Sequence, residues 1–327
     1  MKFKLLFLIF LTTTLSAKYT NCSFQNKHYE DICNKVVKSG VSYDYANNFL
    51  LSYFKTKKFD EISWKYLQPR HIKLHKKNEK KANNTLVGRI PQLVEHLDKY
   101  EKVYDYSEEK YGVNREIIGA ILLKETNLGK IKPTHDAFIV FNTIVTRVKS
   151  KTKREKWLLK MGKTNMASII KHCYKSKLQP EECNLPSSYA GAVGIAQFMP
   201  NSFMYAKSYC EGEVCDLTKM EDAIVSASYY LHRRAKYNTL IKWNKMPDMD
   251  KVEADWYEYE HKNEYASFSY KKGRNGKVYD CYSCEKSNLG YLDGYIKKIL
   301  RYNNSSNYAV GVIRLAYDAH FFNRARD

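Results

Sequence analysis

The chain has 327 residues, with 55 Lys and Arg against 35 Asp and Glu, for a formal net charge of +20. Such a charge suits polyanionic partners, namely nucleic acid, anionic lipid or an anionic wall polymer, and argues against a cationic one. After the first segment no stretch reaches the roughly 20 apolar residues of a spanning helix, which excludes a helical membrane protein.

Residues 1–17 read as a secretory signal: Lys2 and Lys4, an apolar run over 5–11, then small residues ending at Ala17. Cleavage there removes both lysines and leaves a mature charge of +18. Tyr19-Thr20-Asn21 is no lipobox for Cys22, so a soluble protein exported to the periplasm is expected. Export removes most nucleic-acid roles. The mature residues can hold one large domain or two, without internal repeats.

Eight cysteines fall into four neighbouring pairs, and an oxidising compartment favours disulfides. The preferred pairing is Cys22 with Cys33, Cys173 with Cys183, Cys210 with Cys215, and Cys281 with Cys284. The competing reading, with the last four as zinc ligands, fits an exported chain less well.

The basic, polar run 71–84 reads as a solvated loop or helix end. Apolar residues then recur at spacings of three and four over 90–111, 114–128, 167–174, 221–237 and 307–320, so the chain is mainly α. Asn114 is placed to cap the second of these helices and Gly129 to stop it. Lys272 to Lys277 resembles a hairpin turn between short strands within 257–282.

Glu125 shares a helical stripe with Ile118, Ile121 and Leu122. A carboxylate in apolar surroundings at a helix C-terminus is pushed toward its protonated form, which suits a general acid at neutral pH. In segment 188–200, small residues surround Gln197, whose amide can both donate and accept; a tight helix contact is the structural alternative. Arg301-Tyr302-Asn303-Asn304-Ser305-Ser306 forms a polar turn before an apolar helix. Its Asn or Ser can cap that helix, or Tyr302 can hydrogen-bond the acid.

In this order, Glu125-Thr126-Asn127-Leu128-Gly129, the 189–200 segment and Arg301 to Ser306 resemble the membrane-bound lytic murein transglycosylase B family (the glycoside hydrolase family 103 type). The resemblance implies a lysozyme-like catalytic domain over 111–327, with an N-terminal helical part over 18–110 packed on it. It also implies cleavage of the β-1,4 bond between N-acetylmuramic acid and N-acetylglucosamine of peptidoglycan, leaving a 1,6-anhydro end, with no cofactor.

Carried over residue by residue, Glu125 is the single acid/base, Ser188, Gln197, Phe198 and Asn303 line the sugar groove, and Tyr302 lies near the acid. Arg147, after Asp136-Ala137-Phe138, falls on a substrate-contacting arginine. Thr126 stands where Ser is frequent. Some members carry a calcium loop after the position of Ser202, but Tyr209 to Asp216 is too short and too poor in carboxylates for one, so no metal is expected. Two rivals stay open: a muramidase using a second carboxylate, for which Asp136 and Asp222 are the candidates, and a peptidoglycan-binding protein without turnover.

Overall fold

A computed structural model describes residues 22–56, 59–253 and 286–324. They are mainly helical, with one two-residue pair of strands. The expected hairpin over 257–282, Cys281 and Cys284 lie outside the described residues.

The first helices are α1 (Lys27–Val37), α2 (Tyr43–Thr56), α3 (Glu61–Tyr66) and α4 (Pro69–Val87). Asn26 and Asp60 cap α1 and α3 by accepting from His28 N and Ser63 N, and Pro69 starts α4 at a position that needs no N–H. The run 71–84 is therefore helix, not loop: Glu79 and Asn83, one turn apart, are both buried on one face of α4.

The expected helix over 90–111 is two, α5 (Ile90–Lys99) and α6 (Glu101–Tyr111). Tyr100 separates them with a non-helical φ of −110°, its ring packed 4.8 Å from that of His96. Gly112, at φ +64°, closes α6, and α7 (Arg115–Thr126) follows. Asn114 stands at the N-cap of α7, but its side chain accepts from Tyr237 Oη and Ile241 N instead. Almost every residue of α7 is buried, so it is the central helix.

Asp136 caps α8 (Ala137–Arg147), and a capping box of Thr152 and Glu155 starts α9 (Lys153–Lys175). The strands β1 (His135–Asp136) and β2 (Pro186–Ser187) pair antiparallel. Two 3₁₀ turns, Pro200–Tyr205 and Trp243–Lys245, flank α10 (Met220–Ala235), and the chain ends with α11 (Lys286–Ile299) and α12 (Ser306–Arg324).

Two hydrophobic cores result. One gathers α5, α6, α7, α10, α11 and α12; the other gathers α1, α2, α8 and α9. Disulfides Cys22–Cys33 and Cys173–Cys183, both expected, staple the second core. The glycine-rich segment spans the junction, with Val193 in one core and Ala196 and Phe198 in the other. α12 packs on α7, α5 and α4.

The third expected disulfide is absent: Cys210 and Cys215 are both free thiols. Another device braces their loop. The buried Asp222 carboxylate of α10 accepts from Tyr209 N (2.8 Å), Asp216 N (2.7 Å) and Ser208 Oγ (3.2 Å), fastening both ends. Cys215 Sγ lies instead 3.5 Å from Ser226 Oγ.

Candidate active site

The C-terminus of α7 sets the position of Glu125. Asn127 N bonds Leu123 O and Leu128 N bonds Leu122 O, the paired closure of a helix by left-handed residues. Asn127, Leu128 and Gly129 all have positive φ, so the chain reverses within four residues of the acid. Thr126 secures this turn. Its Oγ1 donates to Ile195 O (3.0 Å) and accepts from Gly129 N (3.0 Å), joining the acid's helix to the glycine-rich segment.

That segment is a tight hairpin in which Val193 and Phe198 exchange backbone bonds of 2.9 Å. Gln197 sits in its turn at φ +51° and its Nε2 donates to Gly194 O (2.9 Å). Gly194 is required: a Cβ there would lie 2.5 Å from Leu217 Cβ. Gly191 lies so close to the ring of Phe141 that a Cβ would meet it at 2.4 Å. Ser188 stays half-buried, its Oγ accepting from Ala192 N.

Tyr308, on the first turn of α12, donates to Glu125 Oε1 at 2.7 Å. The sequence reading offered Tyr302 for this contact; Tyr302 donates instead to Ala196 O at 2.6 Å, again tying 301–306 to the hairpin. Phe198, expected to line a sugar groove, is only 2% exposed and packs against Tyr230 and Tyr302. Tyr302 also meets Tyr230 edge-on, with centroids 5.2 Å apart. Asn303 is exposed beside this cluster. Tyr189 stacks at a tilt on Tyr66 of α3, 5.1 Å away.

Arg147 lies elsewhere. It ends α8, where its guanidinium pairs with Glu61 and covers the ring of Phe59 at 5.4 Å. No described contact joins it to Glu125 or to the 188–198 hairpin.

Burial pushes the Glu125 carboxyl up to about 7, with the nearby Glu79 adding to the rise and the Tyr308 bond and Lys124 opposing it. A group at this value is protonated and deprotonated in comparable amounts at neutral pH, so it can give and take a proton. Asp136 and Asp222 are committed to a helix cap and to backbone amides, as described above, and neither is presented as a second reacting carboxylate. One other cluster looks catalytic by composition, Asp60, Ser63 and His135. Ser63 Oγ and Asp60 Oδ2 both address His135 Nδ1, however, so it is a structural tie between α3 and β1 and not a relay.

The residues the sequence reading missed are Tyr308, Lys124 and Glu79. A tyrosine on an apolar helical stripe carries a hydroxyl that must find a partner, and that signal points to Tyr308. Nothing in the basic run around Glu79 signals its position.

The chain matches the family model of the transglycosylase SLT domain over residues 25–317. It belongs to that family. No curated protein matches the chain significantly. Among solved structures, this SLT-domain protein is similar to Escherichia coli lytic transglycosylase Slt35 in complex with bulgecin A, at 16% identity and a TM-score of 0.60, covering 92% of this chain and 95% of that one. Pseudomonas aeruginosa soluble lytic transglycosylase SltB1 gives 18% identity and a TM-score of 0.61, over 92% and 99% of the two chains. Pseudomonas aeruginosa SltB3, in complex with NAG-anhNAM-pentapeptide, gives 18% and 0.57, over 89% and 78%. The family and the lysozyme-like fold implied by the three motifs, and the mainly α class read from the helical periodicity, are thus borne out.

Proposed function

We propose that this SLT-domain transglycosylase is a peptidoglycan lytic enzyme that cleaves the β-1,4 bond between N-acetylmuramic acid and N-acetylglucosamine, with Glu125 as its single acid/base. Protonated Glu125 gives its proton to the glycosidic oxygen as the bond from that oxygen to C1 breaks. The resulting carboxylate takes the proton of the muramoyl 6-hydroxyl as O6 bonds to C1, closing the 1,6-anhydro ring and restoring the acid. No water is consumed. The substrate's own N-acetyl group shields the charge that develops at C1.

The observation that carries this reading is the setting of Glu125: one carboxyl poised near neutrality, with the acids suspected of a partner role bound elsewhere. The residues proposed to hold the sugar are Ser188, Gln197, Tyr302 and Asn303; the bonds from Thr126 to Ile195 O and from Tyr302 to Ala196 O, which tie the acid's helix and the turn before α12 to the hairpin, support this reading. Phe198 supports the rings from behind, and Arg147 is proposed to meet a more distant part of the strand. The complex of SltB3 with a glycan-peptide fragment supports the same substrate class here.

We further infer export to the periplasm, directed by residues 1–17; among the described residues no helix is long and apolar enough to cross a membrane. Residues 111–327 are proposed as the catalytic unit, with 18–110 packed on it. The positive charge suits a sacculus whose stem peptides carry carboxylates. No calcium requirement is proposed, although Slt35 has been solved in complex with calcium; tight binding in a calorimetric titration would overturn that.

The deciding experiment is mass analysis of fragments released from purified sacculi. Anhydro ends, lighter than reducing ends by one water, support the transglycosylase; reducing ends indicate a muramidase. If wild type and a Glu125→Gln variant released equally little product, only the binding reading would remain.

A further inference from the structure

Behind Glu125 lies a group of buried polar residues that the reaction above does not use. Glu79 and Asn83 project from one face of α4 toward the first turns of α12. Glu79 is 9% exposed, and its Oε2 accepts from Ser305 Oγ at 2.8 Å. Ser305 in turn starts α12: its Oγ lies 3.3 Å from Tyr308 N and its carbonyl accepts from Ala309 N. Asn83 Nδ2 donates to Asn307 O (3.1 Å) and to Glu253 Oε1 (3.3 Å), while its Oδ1 accepts from Lys124 Nζ. Lys124 Nζ also lies over the Tyr308 ring, 5.1 Å from its centroid.

Two paths therefore run from α4 to the hydroxyl that holds the acid. One passes through Ser305 and the backbone of Tyr308; the other passes through Lys124 and the ring of Tyr308. The close fit is specific to Gly311, because a Cβ on that residue would lie 2.4 Å from Asn83 Nδ2. An arrangement of two carboxylates, a lysine and an amide buried together costs desolvation that apolar packing would avoid, so a structural role alone accounts for it poorly.

We infer that α4 belongs to the proton-handling apparatus of this enzyme, with Glu79, Asn83 and Lys124 as positioning residues that fix Tyr308 against Glu125 and set the local charge. This rests on the acid/base role of Glu125 proposed above. The groups facing Glu125 are Tyr308 on α12, Lys124 on its own helix, Glu79 on α4, and Tyr302 and Tyr189 from the loops, with Glu253 facing Lys124. Of these, Glu79 and Lys124 carry opposite charges and act on Glu125 in opposite directions. Glu79 disfavours its carboxylate and Lys124 favours it.

The test is a pair of variants with opposite expected signs. Glu79→Gln keeps an acceptor for Ser305 and removes the charge; Lys124→Met keeps the length and removes the charge. The alkaline limb of kcat/KM should move to lower pH in the first and to higher pH in the second, each by about one unit, or tenfold in rate on the falling limb. A titration of the Glu125 carboxyl by difference between each protein and its Glu125→Gln form reads the same shifts without substrate. Limbs and titrations that stay with wild type in both variants, or that move in the same direction, would overturn the inference. Absence of anhydro product from wild type would instead overturn the reaction, and the substrate-free titration would still judge the charge arrangement.

Discussion

Tyr308 donates to Glu125 across 2.7 Å from a helix that begins 181 positions later in the chain. Burial holds the Tyr308 phenol well above its ordinary range, so it serves as a fixed donor and not as a second acid. Its bond favours the carboxylate form of Glu125 and so moderates the rise that burial causes. The acid is thereby kept close to neutrality.

Glu125→Gln should abolish turnover by several orders of magnitude and yet stabilise the fold at alkaline pH. The folded carboxyl titrates at about 7 against 4.5 for the ordinary group. A raised value means that the stability it contributes is complete below about 4.5 and is lost as pH rises through 7. From pH 5 to pH 8 the wild type should lose up to about 3 kcal/mol of stability relative to the variant. Denaturant unfolding of both proteins at pH 5 and pH 8 checks this, and an equal difference at the two values would contradict it.

In wild type, kcat/KM should fall about tenfold per pH unit above 7, because the free enzyme must hold the proton. Tyr308→Phe removes a bond to the charged form, so its limb should lie at higher pH while kcat drops. A limb at lower pH would show that the tyrosine bond acts in the other sense.

His96 offers an independent pH effect on stability. Burial lowers its value to about 4, its Nε2 has no partner among the described residues, and Nδ1 meets Tyr104 Oη at 3.2 Å. The unfolded chain takes up a proton near 6.5 and the folded one does not, so stability should be full above 6.5 and decline as pH falls toward 4, by about 3 kcal/mol. His96→Gln should flatten this slope in unfolding measurements between pH 4 and 7.

Gly194→Ala should destabilise the protein by at least about 2 kcal/mol, since the residue has φ +76° and its new Cβ would strike Leu217. Ile195 N bonds Leu217 O, and Ile195 O receives Thr126, so the same change should lower activity beyond the loss of folded protein. Thermal unfolding together with rates per folded molecule separates the two effects.

The loop held by Asp222 can be tested with its thiols. Cys210 is exposed, whereas burial raises Cys215 to about 11. Iodoacetamide at pH 8 should modify Cys210 quickly and Cys215 slowly. Asp222→Ala should bring the two rates together by releasing the loop, and unchanged rates would show that another contact holds it.

Much of the site was legible because it is written in local patterns. Glu125 stands out as an acid on an apolar stripe, and the segment around Gln197 through its small residues, although these did not distinguish the observed hairpin from a tight helix contact. The disulfides 22–33 and 173–183 follow from proximity in sequence, yet the same rule fails at 210–215, where a carboxylate seven residues beyond supplies the brace. What the sequence hid depends on distant partners. Asn114 has the identity of a helix cap but spends its side chain on Tyr237 and Ile241, and the run 71–84 looks solvated until α12 covers Glu79 and Asn83.

The distance along the chain between Glu79, Glu125 and Tyr308 has a consequence for when lytic power arises. A ribosome adds residues from the N-terminus, so the acid is made long before the tyrosine that holds it. A nascent or truncated chain lacks that hydroxyl and the helix carrying it. The contact that holds the acid is therefore completed only when nearly the whole chain has been made.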